Sequence, residues 1–497
     1  MISLSKLTAS RALQKFSISI FVSVLMVLGP LASFFTLTNS GYHDDQRALQ
    51  LLCLLMGAAL AILNLWHGKS MLASVEKPVA WLLLIFFVLG LFSSMVAYST
   101  KYALYEWASL GLMFMLAWLV ANELAGNPVY FLDKVLVVAG LGCAVYVFRV
   151  ALVYIWELQS GNQLQALELI VGFDNRRFFN HVQTTSLPLL GLLTLRSVQQ
   201  GSSARNMVRC WWGLLSLWWM LLFLSTGRGT LMGVFIGMLM AIFWRGRLAW
   251  PWCRVMLGSA MTGLVAYGVF FMLVPVLMGL QSFGFLNEIV ERSIEDPSGS
   301  RGGLWRRAME MVVTHPLLGV GPLHFAHYGQ DVNNGAHPHS WILQIASEWG
   351  VPALLCLSAA IFISFKKLLN SGDAIESTDV KNQAILTVWL AMGIAILVDG
   401  LVSGLIVMPS SQLWIVMYMG CAWGWVSAFE YKNDNFKKTD ISIKMRAFFI
   451  VLIFLMLLSV GKGVLPEIID LQGHEAKELE LHPGMHLNAR IWSYGYF

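Results

Sequence analysis

Four basic groups stand at the edges of long apolar runs, where a chain would turn at a membrane surface. They are Arg228 in "LSTGRGTLMG", Arg301 in "DPSGSRGG", and His337 and His339 in "NGAHPHSWILQ". Ser225 and Thr226 are capping residue types, so a helix is expected to start beside Arg228. The first N–H groups of that helix have no intrahelical partner and, with the helix dipole and a guanidinium, would make an anion site. Gly227 and Gly229 would let a ligand approach the backbone. Ser340 can cap the next helix, which puts His339 at a positive helix end that keeps imidazole neutral and able to accept a proton. Plainer readings stand beside these. Arg228 could be snorkelling to an interface, and a loop histidine can have no role. The His-x-His pair would also suit a metal, although no Asp, Glu or Cys stands nearby at ligand spacing.

The elements that must position these groups are membrane helices. The 497 residues are 57% hydrophobic and 12% charged, with mean hydropathy +0.66. A soluble domain carries about 25% charged residues, so this is an integral membrane protein. The net charge of +5 is modest and speaks for membrane orientation, with no nucleic-acid partner. The six cysteines form no C-x-x-C pair and no disulfide framework. Thirteen apolar runs approach the roughly 20 residues a span needs: 16–37, 47–66, 79–98, 102–122, 130–156, 180–196 (a short one), 207–225, 228–244, 255–280, 341–365, 383–407, 411–428 and 446–465. The expected fold is therefore an all-α polytopic membrane protein of about 12–14 transmembrane helices. Nine lie in 1–280, a long loop in 281–340, four more in 341–465, and a tail in 466–497.

With the N-terminus in the cytoplasm, most Lys and Arg fall on inner segments. The outer exceptions include Arg176, Arg177, Arg228, Arg292, Arg301, Arg306 and Arg307. Within the long loop, residues 304–313 read as an interfacial helix with Arg306, Arg307 and Glu310 on its polar side. Arg306 and Arg307 suit lipid headgroups, while Arg301, in a Gly-rich turn before that helix, is the better ligand candidate. "HPLLGVGP" ends the helix with turn signals. Arg149, Glu348 and Asp399 lie deeper, and such charges are costly. Glu348 is expected to pair with a basic residue, and Asp399 to serve as a structural partner for an Arg. The segment 429–445 reads as a linker. The tail's aromatics are expected at the membrane surface.

The strings "SGSRGGLWRRAMEMVVTHPLLGVGPLHF" and "AHPHSWILQIASEWGVPALL" resemble the O-antigen ligase/polymerase superfamily, which includes protein O-oligosaccharyltransferases. "STGRGTLMG" resembles that family's Arg-Gly motif at a helix start, here with one extra residue, Gly227, and "GFDNRRFFNHVQTTSLPLL" resembles its outer loop leading into a helix. The resemblance implies a C-type glycosyltransferase-like fold in the bacterial inner membrane, with interfacial helices in a long periplasmic loop and a periplasmic active site. It implies transfer of a glycan from undecaprenyl diphosphate without cofactor or metal. Arg228 and Arg301 would bind the donor diphosphate. His339 would activate the acceptor hydroxyl, with His337 as fallback, and Arg177, Asn180 and His181 would contact substrate. Direct attack would invert the anomeric centre. The expected acceptor is lipid A–core; a lipid-linked glycan or a pilin-like protein remains open. A polysaccharide transporter is the alternative of another class, but it should show paired repeats and broken midplane helices, neither of which is evident.

Overall fold

The computed structural model describes residues 17–18, 21–24, 38, 41–69, 72–73, 75–201, 205–282, 301–332, 335–376, 378–432, 442–481 and 489–495. The expected first span over 16–37 lies largely outside these residues, as do Arg292 and most of the linker at 429–445. The described chain is helical and contains no strand. Its helices are α1 (Tyr42–Trp66), α2 (Lys77–Val96), α3 (Thr100–Gly126), α4 (Pro128–Gln159), α5 (Arg176–Gln199), α6 (Arg205–Ser225), α7 (Arg228–Arg245) and α8 (Trp250–Tyr267). Then come α9 (Gly302–Thr314), α10 (Trp341–Trp349), α11 (Val351–Asn370), α12 (Val380–Gly400), α13 (Pro409–Lys432), α14 (Ile443–Ile468) and α15 (Leu471–Leu481). A π-helical stretch, Gly268–Leu273, carries α8 on to Leu277.

Among the described residues, ten helices are long and apolar enough to cross a membrane, so the protein is multi-pass. The difference from the expected 12–14 lies partly in α5 and α13, each 24 residues long but absent from those ten. Their surroundings explain it. Every residue of α5 from Phe179 to Ser197 is buried, because α4, α6, α7, α8, α12 and α13 pack around it. A helix wrapped by protein has no need of a lipid-compatible surface, so it can carry Asn180, His181, Gln183, Thr184 and Thr185.

A correction concerns 341–365, which is two helices. Gly350 takes φ +89° between α10 and α11, a conformation costly for any side chain. The "HPLLGVGP" turn packs on this break. Val351 N–H donates to the Pro316 carbonyl (2.9 Å), and the Val320 and Gly321 N–H groups donate to the Ser347 (2.9 Å) and Glu348 (3.0 Å) carbonyls. These bonds satisfy backbone groups that a broken helix would otherwise leave bare in an apolar surrounding. The turn thus caps α10 as well as ending α9.

Lys69, Lys77, Arg196, Arg205, Arg245, Arg247, Lys366, Lys367 and Arg446 sit at one end of the bundle. At the other end, α1, α5, α7 and α10 begin and α12 finishes.

Candidate active site

The beginning of α7 is positioned by a stripe of small residues. A Cβ on Gly233 would lie 2.7 Å from the Ala395 carbonyl oxygen, and one on Gly237 2.3 Å from that of Ala391. Only hydrogen at these positions lets α7 and α12 approach so closely. The same stripe reaches Gly229, whose face is filled by the Asp399 carboxylate, and Gly227 faces the Asn180 amide. Two side chains therefore fill the Cβ directions of these glycines, while both glycines still line the cavity described below. Asp399 accepts a hydrogen bond from the Thr184 hydroxyl and lies 3.2 Å from the Thr230 hydroxyl, and the expected Arg charge also acts on it, from Arg301. The single Thr230 hydroxyl proton is shared between that carboxylate and the Asn180 carbonyl (2.9 Å), and the Asn180 amide donates to Gln183 (3.2 Å) and the Ser225 hydroxyl. These contacts join α5, α7 and α12 just beneath Arg228.

Neither expected side-chain cap forms. Gly227 is the N-cap of α7, Ser225 ends α6 and bonds back to the Leu222 carbonyl (3.2 Å), and Ser340 is an N-cap without a side-chain bond. The Arg228 N–H, first of α7, donates instead to the Thr226 carbonyl (2.9 Å), and the positive end of the helix dipole still faces the loop region. Thr226, before it, has φ +54°, an unfavourable conformation for a β-branched residue.

The histidine stretch is clamped from three sides. The Trp305 indole of α9 donates to the Pro338 carbonyl (3.0 Å), Trp341 donates to the Leu397 carbonyl of α12 (3.2 Å), and the His337 ring lies against Gly404. His339 itself has φ +53°, and its N–H donates to His337 Nδ1 (3.3 Å). That bond leaves the proton of a neutral His337 on Nε2. The two ring centroids are 4.0 Å apart. Among the described residues only Thr226, Leu323 and His339 are non-glycine residues with positive φ, and two of the three are here. Strain of this kind persists where surrounding packing enforces it.

These pieces enclose one cavity of about 300 Å³. It is lined by Arg228, Arg301, His337, His339, Arg177, Asn180 and His181 together, and also by Arg176, Asp399, Ser403 and Ala489. Residues from the starts of α5, α7 and α9 (Arg176, Arg228, Arg301) and from the loop entering α10 (His339) all line it, so the helix dipoles add to the guanidinium charges. Burial, then the Arg301, Arg177 and His181 charges, lower the His339 pKa to about 3. Burial, then His339 and Arg490, hold His337 well below its usual value. Both imidazoles are neutral at pH 7. His181 Nδ1 is buried without a hydrogen-bond partner among the described residues. The cavity can receive a polyanion against its guanidiniums and helix starts, beside a neutral imidazole. Among the described residues, no three His, Cys, Asp or Glu side chains group as metal ligands would.

Several neighbouring residues depart from expectation. Arg307 pairs with Asp331 and with Glu310 (3.6 Å), and α9 buries Leu304, Ala308 and Met311 against α10, so Arg307 is engaged within the protein. Glu348 does have a basic partner, Arg490 (3.0 Å), which comes from the tail. The tail's Trp492 and Tyr494 are buried in the bundle and do not lie at its surface. Arg490 and the pocket-lining Asp399 were beyond reach of sequence spacing, because their partners lie far away in the chain.

A comparison with curated proteins gives no match. Arg228, Arg301, His337 and His339 lie within residues 213–358, which match the family model described as O-antigen ligase, whereas Arg177, Asn180, His181 and Asp399 come to the same cavity from outside it. The matched segment, in an all-helical multi-pass protein, supports membership of the chain in the O-antigen ligase-like superfamily.

Proposed function

We propose that the protein is an inner-membrane glycosyltransferase that moves a glycan from undecaprenyl diphosphate to an acceptor hydroxyl, with lipid A–core as acceptor. The observation that carries this reading is the convergence of Arg228, Arg301 and Arg177 on a cavity holding the neutral His339. The cavity lies at the end of the bundle opposite the Lys- and Arg-rich end, which by charge bias is the periplasmic side. No ATP is available there, so the donor must carry its own leaving group, and a lipid diphosphate does. Arg228 and Arg301 hold its oxygens through charge-assisted bonds that strengthen as the sugar–phosphate bond breaks. His339 takes the proton of the attacking hydroxyl. The acceptor oxygen bonds to the anomeric carbon, the diphosphate leaves with the bonding pair, and in-line attack inverts that centre. Arg177, Asn180 and His181 contact the substrates. His337 holds the His339 backbone and is the second candidate for the base. No resident metal takes part.

The test is transfer by purified protein in lipid vesicles, from undecaprenyl-diphosphate glycan to lipid A–core, to a second lipid-linked glycan, or to a pilin-like protein. Product on lipid A–core supports the full proposal. Product on the glycan or protein keeps the chemistry and replaces the acceptor. No product with any of the three refutes the glycosyltransferase reading.

A further inference from the structure

Residues 489–495 thread into the bundle through a polar channel that the helices supply. Arg47 of α1 donates to the Arg490 carbonyl (2.7 Å) and the Ile491 carbonyl (3.1 Å), and also to Val407 (3.1 Å) and Gln412 (3.0 Å). Asp44 accepts from the Ser493 N–H (2.7 Å) and hydroxyl (3.0 Å). Glu467 of α14 accepts from the Trp492 indole (2.9 Å). Arg490 and Glu348 are 2% and 1% exposed, and Arg490 Nη2 reaches both Glu348 oxygens, at 3.1 and 3.0 Å. Arg490 Nε and Nη1 are buried without a hydrogen-bond partner among the described residues, so the pair is a poor source of stability and better suited to fixing registry.

What it registers is α10. Glu348 stands at the far end of the nine-residue helix that the histidine loop enters, and it also accepts from Gln344 (2.8 Å) and from the Phe325 N–H (3.1 Å). Gln344 N–H in turn donates to the Ser340 carbonyl (2.8 Å), next to His339. Ala489, the neighbour of Arg490, lines the cavity itself. The Arg490 charge is also felt at His337.

We infer that the C-terminal segment 489–495 is a strut of the active site, in which Arg490 is a positioning residue that sets α10, and with it the His337–His339 loop, through Glu348. This rests on the proposed glycosyl transfer. A lever of this kind should govern the rate of the chemical step while leaving the anion-binding arginines in place.

The experiment compares full-length wild type with Arg490→Gln, and with Glu348→Gln/Arg490→Gln. The double variant leaves no unpaired charge at Glu348, the only other acidic partner of Arg490 among the described residues being the part-exposed Glu106 (3.6 Å), and guards against a single variant that fails to fold. Three quantities are read: hydrogen exchange of amides 335–349, affinity for inorganic pyrophosphate, and transfer kcat and KM. Expected are faster exchange confined to 335–349, pyrophosphate affinity within about twofold of wild type, and a kcat lowered tenfold or more with donor KM little changed. A folded double variant that transfers as wild type does, or shows unaltered exchange at 335–349, overturns the inference. So does a loss of transfer that follows a uniform rise in exchange across the bundle. Exchange and pyrophosphate binding need no turnover. If wild type itself fails to transfer, the proposed function fails, while the exchange result still judges the strut.

Discussion

Donor binding should reset the basicity of His339. Its pKa is lowered to about 3 by burial and then by Arg301, Arg177 and His181. An imidazole that weakly basic is neutral at pH 7, the form a base needs, but has little driving force to take a proton. A bound diphosphate changes this. One negative charge about 6 Å away, in an effective dielectric of about 20, is worth about 3 kcal/mol, which is about 2 pKa units. The diphosphate also offsets the arginine charges that depress the value. The pKa of His339 in the donor complex should therefore rise to about 5 or above. The sign follows: the active neutral form is present above the pKa and lost as pH falls through it. The assay is initial transfer rate from pH 4.5 to 8, at limiting and at saturating donor. The limiting-donor profile, which reports free enzyme, should be flat on its acid side. The saturating-donor profile should show an acid limb that the other lacks. An acid limb near pH 6.5 at limiting donor would refute the reasoning, because it would mean an imidazole that titrates as if in water.

Other perturbations test separate parts of the account. Arg301→Gln removes charge-assisted bonds worth about 1.5–3 kcal/mol, so transfer at limiting donor should fall about 10- to 150-fold; a change under threefold would exclude Arg301 from the donor site. Gly237→Ala puts a methyl against the Ala391 carbonyl and should cost about 1–3 kcal/mol by overpacking, read as a lower Tm and impaired transfer. Thr226→Gly relieves a φ of +54° and should stabilise the protein by about 1 kcal/mol; an unchanged or lower Tm counts against strain at that turn. Burial lowers the His324 pKa to about 4, so the unfolded chain takes up this proton first. Its contribution to stability is complete above pH 6.5 and is lost as pH falls toward 4. The downward slope of Tm over that window should be shallower in His324→Asn.

Most of the helices could be read from hydropathy, since a lipid-facing helix must be apolar along its length. The same rule explains the misreadings. The run 341–365 is apolar throughout, and the break at Gly350 depends on the 315–322 turn that caps it, which no local pattern reveals. The polar face of α5 shortened its expected span, because sequence does not show that protein surrounds it on every side. Arg228, Arg301 and His339 stood out as polar groups at expected helix starts. Asp399 stood out only as a deep charge, and Arg490 did not stand out, because the groups they engage, Thr184 and Glu348, lie 215 and 142 residues away in sequence. The tail aromatics have the composition of an interface anchor, and only the channel formed by Asp44, Arg47 and Glu467 shows that they are buried.

The central claim is that His339 is the base of a metal-free transfer. Its most direct test is single-turnover transfer from pre-bound undecaprenyl-diphosphate glycan in the presence of EDTA, using wild type, His339→Ala and His337→Ala. The account predicts full product from wild type in EDTA and a loss of 10²-fold or more in His339→Ala, with His337→Ala retaining most of the rate. His339→Ala matching wild type, or wild type silenced by EDTA and restored by a divalent metal, would contradict it.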